Sequence, residues 1–550
     1  MREILYIQAG SFANYTGTHF WNTQEEYFTY DDETEPLVNH DISFREGIDQ
    51  RGNQTYCPRL LMFDVRGNFG SLSAAKSLYS YEDQSVDNSS QAEESIWDGD
   101  ILAYKQEPIS STQPTKHDAP VVRSSSEARI DNEVEDALDG LKESLSKVSF
   151  WSDFARVSYI PRSIQKIPES PDWDHLNGNW DVGRRTFFQY NEETDLMDGA
   201  VRRSLEECDS PQGIQIIEDT LTFGSFIDSF INSFRDEFSR LPILSFPLLS
   251  QSIPTRSGTE GTQLRDLKVI INDALVLRTY NDMDSALAVP ISPSAAWTFP
   301  KTADKPTVDI YSASAILCSH LESSTLPLRL VISITPLEPS IWKFTLIRLR
   351  NRSTSLSLTS LLAQLGWRGI NRFSHLSGAF LSKTTERFDV SLSVSDFSLP
   401  ANKSPRATLF AISDVTRGLT SEELLAYDKW RSQAPSSFSP GTSFHAPSYP
   451  SSEGLLSMGV PTGPSSQTPL QADNCPGRLF TRLTTTTETA AMFDAYASLI
   501  HNEITRKPGL VVQSSGLDLD ELKELVGDLW TIHDNYHDET LNYESLDDEE

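Results

Sequence analysis

The opening residues, MREILYIQAGSFANYTGTHFW, constrain this chain more than any other stretch. Apolar side chains alternate there, with Ile4 and Tyr6 on one face and Leu5 and Ile7 on the other, which reads as a strand buried on both sides. The run stops at Gly10, and a short loop leads into a helix carrying Phe20 and Trp21. Strand, glycine turn and helix is how many proteins hold a nucleotide phosphate, because the unpaired N–H groups of a helix start point at the anion. The sequence therefore poses one question: whether this turn holds a nucleotide or keeps only the shape.

A chain of 550 residues exceeds what one hydrophobic core usually covers, so several domains are expected. Residues 1–70 read as strand, loop, helix and a second buried strand, RLLMFDV, ending at Gly67. From 71 to 145 the composition turns to Ser, Asp, Glu and Gln, an acidic and largely disordered insert with one short helical pattern, NEVEDALDGLKESL. Helical and strand patterns alternate over 146–300, as in a βα-type sheet domain. Within them FGSFIDSFINSFRDEF sets Phe226, Phe230, Phe234 and Phe238 on one ridge at i, i+4 spacing, a core face and not a cofactor box. Alternating strands (LRLVISITPL, IWKFTLIRLR, RFDVSLSVS) make 301–432 a second α+β domain. A Pro/Ser-rich loop over 433–476, helices over 477–534 and an acidic tail over 535–550 complete the map. The first of those helices places Met492, Tyr496, Leu499 and Ile500 on one face.

The net charge of −32 argues against nucleic acid or an anionic membrane as a direct partner. Cys57, Cys208, Cys318 and Cys475 form no C-x-x-C pair, which fits free thiols in a reducing compartment and no zinc site. No apolar run reaches the length of a membrane span, and the start has neither an apolar leader nor a basic presequence. Glycosylation at Asn14 or Asn88 is accordingly not expected.

Several segments together resemble tubulin, in tubulin order. The opening resembles its first strand, nucleotide loop and helix. YCPRLLMFDVRGNFGSL resembles the strand and loop with Tyr-x-Pro-Arg and an acidic turn. LNGNWDVGRRTF resembles the third nucleotide loop, and CDSPQGIQIIEDTLTFGSFIDSFINSFRDEF the glycine-rich loop and the helix after it. Within that superfamily the chain is identified as a member of the Misato family, on the block FWSDFARVSYIPRSI (Phe150 to Ile164), which true tubulins lack. The resemblance implies a tubulin/FtsZ-like α/β fold, with a Rossmann-type nucleotide-binding-type domain and a smaller α+β domain. It also implies a role in mitochondrial distribution, morphology and mitochondrial DNA inheritance, linked in animals to the spindle as well.

Residue by residue, the nucleotide loops depart from that pattern. Gly10 and Asn14 match, but Ser11, Phe12 and Ala13 replace a Gln-Cys-Gly that meets metal and phosphate, and Phe12 projects a ring at the diphosphate. Asp64 matches, whereas Arg66 replaces an acid that supports the metal. Gly178, Asn179 and Trp180 are kept, followed by Asp181, Val182, Gly183 and Arg184. The fourth loop, Thr220 to Ser225, keeps one glycine, Gly224, before Ser225. Side chains there block the close backbone approach that a glycine run allows. Glu218 and Asp219 precede it, and Asp228 is expected in the first helical turn, where the acids repel a triphosphate and stabilise that helix start themselves. ISPSAAW holds no Asn for a guanine, and the segment after HLESSTLPLRL lacks the Gly-x-Leu-Asn loop and its catalytic acid.

Elsewhere, His533 and His537 stand at i, i+4 in a near miss of a zinc motif, read as a solvated helix. The pairs Arg184-Arg185 and Arg202-Arg203 are candidate contact positions on exposed helices. The sequence thus reads as a tubulin-like protein with no catalytic residue, cofactor or metal, acting through protein partners, tubulin or chaperonin machinery among the candidates. The expected location is the mitochondrial outer surface and the cytoplasm. A divergent GTPase that assembles, and a cytosolic factor for tubulin or chaperonin-dependent assembly, are the alternatives.

Overall fold

The structure, a computed structural model, describes residues 3–28, 36–48, 54–70, 72, 148–168, 180–250, 264–292, 310–331, 356–381, 394–398, 407–433, 437–439, 441–450 and 477–536. The acidic insert beyond Leu72, its expected helix, most of the three strand patterns read in 301–432, and the acidic tail from His537 lie outside these residues.

The first sheet is parallel throughout, in the order β5-β4-β1-β6-β7-β8. Its strands are β1 (Glu3–Ala9), β4 (Leu60–Val65), β5 (Ile164–Ile167), β6 (Pro211–Asp219), β7 (Ile243–Leu248) and β8 (Ala286–Ala288). A small antiparallel pair, β2 (Phe44–Ile48) and β3 (Gln54–Pro58), precedes β4. The connections carry helices α1 (Ser11–Glu26), α2 (Trp180–Thr194), α3 (Arg202–Glu206), α4 (Thr220–Glu237), α5 (Leu264–Asp282) and α6 (Ile310–Thr325). This is the α/β, tubulin/FtsZ-like architecture that the resemblance implies.

Strand β1 sits between two cores, and its alternation divides them. Leu5, Ile7 and Ala9 join the cluster formed with Phe63, Phe226 and Phe230, while Ile4 and Tyr6 join Phe20, Trp21 and Leu244 on the other side. A central strand of a parallel sheet buries both faces, which is why apolar residues run through it without a break. The aromatic ridge of α4 lies in the first cluster, with Phe226, Phe230 and Phe234 fully buried and Phe238 partly so. Helices α9 (Glu488–Arg506), α10 (Pro508–Ser515) and α11 (Leu519–Asn535) cover that side through Met492, Tyr496, Ile500 and Leu525.

The other side of the first sheet packs, through α6 (Leu317, Leu321), onto a second sheet ordered β10-β9-β13-β11-β12. It contains β9 (His375–Phe380), β10 (Ser395–Asp396), β11 (Leu409–Arg417), β12 (Thr442–Ala446) and β13 (Leu479–Thr486), with α7 (Leu358–Leu365) and α8 (Ser421–Gln433) beside it. Two elements differ from the sequence reading. Strand β12 lies inside the segment read as a Pro/Ser-rich loop, paired parallel to β11. Strand β13 opens the segment read as helices and occupies the middle of the sheet, antiparallel to both β9 and β11. Thr-rich LFTRLTTT is strand-forming because branched side chains suit a pleated surface.

Candidate functional site

Strands β1, β4 and β6 end together, and α1 starts where β1 stops, so their carboxyl ends form the crevice in which open α/β sheets bind ligands. Gly10 makes the turn at φ +104°, a region that L side chains rarely adopt. Its carbonyl accepts the first helical bond from Asn14 N at 2.9 Å, and α1 begins at Ser11 with no intervening loop.

Gly10 offers α1 no side-chain cap. The cap comes from a distant strand instead. Asp219, the last residue of β6, accepts the amide of Phe12 at 2.9 Å on Oδ2 and that of Ala13 at 3.0 Å on Oδ1. A Cβ on Gly10 would overlap this carboxylate, so the glycine lets the acid reach the helix. One carboxylate thus takes two of the N–H groups that a helix start presents to an anion. A phosphate at this position would have to displace it. Burial pushes the Asp219 carboxyl up to about 7; the two amides pull it down and nearby Asp64 raises it further.

Asp64, at the end of β4, is equally occupied. Its Oδ1 accepts Val65 N at 2.8 Å and Asn68 Nδ2 at 2.7 Å; its Oδ2 accepts Asn14 Nδ2 and Trp151 Nε1, both at 3.1 Å. Burial raises this carboxyl too, against those four hydrogen bonds. Trp151 belongs to the block Phe150 to Ile164, so that block packs beside the ends of β1 and β4. Further along, Asn22 Nδ2 donates to Phe154 O at 2.9 Å and Arg156 pairs with Glu26 at 3.0 Å, laying the block against α1.

The fourth loop is not a loop. Strand β6 runs directly into α4 at Thr220, so Leu221, Thr222, Phe223, Gly224 and Ser225 are helical. Gly224 serves packing: a Cβ there would lie 2.8 Å from Val276 of α5. Ser225 is buried against Gly183 of α2. Asp228 falls in the third turn of α4, not the first, and bonds Thr279. Asp219 caps α1 and makes no side-chain cap on its own helix. Glu218 accepts Tyr280 OH at 2.5 Å, and burial, aided by Asp228 and Asp219, pushes its carboxyl up to about 8. Asp273, not singled out in the sequence, accepts Thr220 Oγ1 at 2.5 Å and Ser250 Oγ at 3.0 Å, and burial raises it to about 6.

Phe12 is partly buried with its ring against the second core, and Arg66 is exposed in a short 3-10 turn. Gly178 and Asn179 lie outside the described residues, as does all of ISPSAAW beyond Ser292; Trp180 begins α2 and is buried. His533 pairs with Asp534 at 2.9 Å, while His537 lies outside the described residues. Among the described residues no three His, Cys, Asp or Glu side chains group as metal ligands. Cys57, Cys208 and Cys318 are buried free thiols, and no described helix is long and apolar enough to cross a membrane.

Residues 2–117 match the Misato Segment II tubulin-like domain family, and residues 141–330 match the Tubulin domain family. Protein DML1 of Phaeosphaeria nodorum is 35% identical over 61% of this chain and 60% of its own length. Protein DML1 of Gibberella zeae is 32% identical over 60% of this chain and 61% of its own. Protein misato of Drosophila melanogaster is 29% identical over 60% of each. The matched stretch thus spans about three fifths of the length of these relatives.

Proposed function

The chain belongs to the Misato family of tubulin-like proteins, and from that premise we propose that it is a non-enzymatic member, acting through protein partners in mitochondrial distribution and mitochondrial DNA inheritance. The observation that carries the non-enzymatic half is the Asp219 carboxylate on the amides of Phe12 and Ala13. A guanine nucleotide with its metal does not fit the residues present. Asp219 holds the phosphate position, and the hydrogen bonds of Asp64 are taken up by its own chain. Asp228 and Asp273 stand behind them and, where ionised, would repel a triphosphate, while Glu218, pushed up to about 8, is largely protonated at neutral pH and adds little to that repulsion.

Arg66 favours the GTPase alternative most, because an exposed guanidinium beside the crevice resembles a phosphate ligand. It must still offset those carboxylates, and it positions no attacking water. The turn after α6 also opposes tubulin-like assembly. Leu326 and Leu328 are fully buried, and Asn39 N and Val331 N close the chain's own segment over them, at 2.8 Å to Arg329 O and 3.0 Å to Leu37 O.

The cellular half rests on the family, with a site at the mitochondrial outer surface and in the cytoplasm. Depleting the protein should mis-distribute mitochondria and reduce their DNA over successive divisions. Unchanged mitochondrial DNA copy number without the protein would sink this half and favour a cytosolic role in tubulin or chaperonin-dependent assembly.

A further inference from the structure

The opposite end of the first sheet, where its strands begin, carries a shallow surface cleft lined by Arg45, Arg59, Arg162, Ser204 and Glu207 among others. It gathers residues from β2, the β3–β4 turn, the turn before β5 and the end of α3. Among the described residues Glu207 is the sole carboxylate lining it. Arg45 Nη1 lies 3.3 Å from Glu207 Oε1, and Arg162 bonds Glu207 Oε2. Arg59 is held by backbone, donating from Nε to Asp41 O at 3.2 Å and from Nη1 to Glu207 O at 3.3 Å.

Behind the cleft, Glu3 is committed to the amides of Asp209 and Ser210, at 3.3 and 2.9 Å. Cys208 beside Arg59 stays a neutral thiol, since burial pushes it up to about 11. Among the described residues that line the cleft, three guanidiniums face the one carboxylate of Glu207, on a chain whose net charge is −32. Arg45 and Arg162 keep 42% and 26% of their side-chain surface exposed, so their remaining N–H groups are reachable.

We propose that this cleft is a docking site for a carboxylate side chain of an acidic segment on a protein partner. The guanidinium fork matches a carboxylate edge, and the cleft already holds one in Glu207. Arg45 and Arg162 already share Glu207, so the N–H groups they have left suit the single charge of one further carboxylate better than a phosphate dianion. The site rests on the reading that the chain works through protein partners, but it is independent of the mitochondrial assignment and of the nucleotide crevice.

The test uses the full chain and a fluorescein-labelled hexaglutamate peptide, followed by anisotropy at low ionic strength. The wild type should bind hexaglutamate and ignore hexaglutamine. Arg45→Ala should weaken binding by about 5-fold, with its melting curve unchanged. Glu207→Gln removes the internal competitor and should tighten binding by about 3-fold, an effect that loss of structure does not produce. Inorganic phosphate should compete no better than acetate at equal ionic strength. Absence of wild-type binding, equal affinity in Arg45→Ala, or preferential displacement by phosphate each overturns the proposal. A normal mitochondrial phenotype on depletion would leave this binding intact, so the two readings fail separately.

Discussion

Two regions of the molecule bury carboxylates at the two ends of the same helix and treat them in opposite ways. At the start of α1, Asp219 and Asp64 are satisfied by neutral donors: amides, Asn14, Asn68 and Trp151. At its other end, Glu322 of α6 is fully buried and meets Arg329 at 3.0 Å and Arg417 as well. Gln24 of α1 and Tyr27 just after it also donate to it, at 3.1 and 3.3 Å. In one region the negative charge is left uncompensated and titrates; in the other, guanidiniums neutralise it and bind the two sheets together. That is the difference expected where a phosphate position has been filled from within.

The largest effect should come from the cationic end. Glu322→Gln leaves Arg329 and Arg417 buried without a counter-charge, and breaking such a pair costs about 3–5 kcal/mol. Urea denaturation should show that loss; a change under about 1 kcal/mol would mean the pairs contribute little more than a surface contact.

The crevice should reveal itself through pH. Asp273, Asp219 and Glu218 are raised to about 6, 7 and 8 in the folded chain. A folded carboxyl raised above its unfolded value binds more protons than the unfolded chain does. Stability is therefore full below pH 4 as far as these groups go, and is lost as pH rises through 6 to 8. Between pH 5.5 and 8.5 the loss should be on the order of 1–3 kcal/mol, and Glu218→Gln should make it shallower, leaving the part due to Asp219 and Asp273. A flat profile in the wild type would break the contrast between the two ends.

A smaller effect isolates the cap. Asp219→Ala removes the acceptor of two α1 amides and should cost about 1–2 kcal/mol at pH 6. Hydrogen exchange should localise it, with the amides of Phe12 and Ala13 losing protection first.

Much of this was legible in the sequence, and the exceptions have physical causes. The β1–Gly10–α1 unit was readable because its alternation and its turn residue are local. The α4 ridge was readable because four phenylalanines at i, i+4 permit few other faces. The role of Asp219 was not readable, since its partners lie 206 and 207 residues away. Read locally, an acid just before a helix caps that helix. The glycine-poor run reads as a loop in the sequence because its counterpart in the resemblance is a loop. The direct passage of β6 into α4 is fixed by Thr220, whose hydroxyl bonds Leu248 O at 3.0 Å and Asp273 from two other elements. Strand β13 carried its signal in Thr481, Thr484, Thr485 and Thr486, but the helix that follows has the stronger period.

The central claim, that an internal carboxylate has taken the place of the nucleotide, is tested most directly by what the purified protein carries. Denaturing the full chain and quantifying released guanine nucleotide should yield none. Calorimetry with GTP and Mg²⁺ should show no binding tighter than about millimolar, roughly 4 kcal/mol. Stoichiometric GTP or GDP released on denaturation would contradict the account, because it would require the Asp219 carboxylate to leave the amides of Phe12 and Ala13.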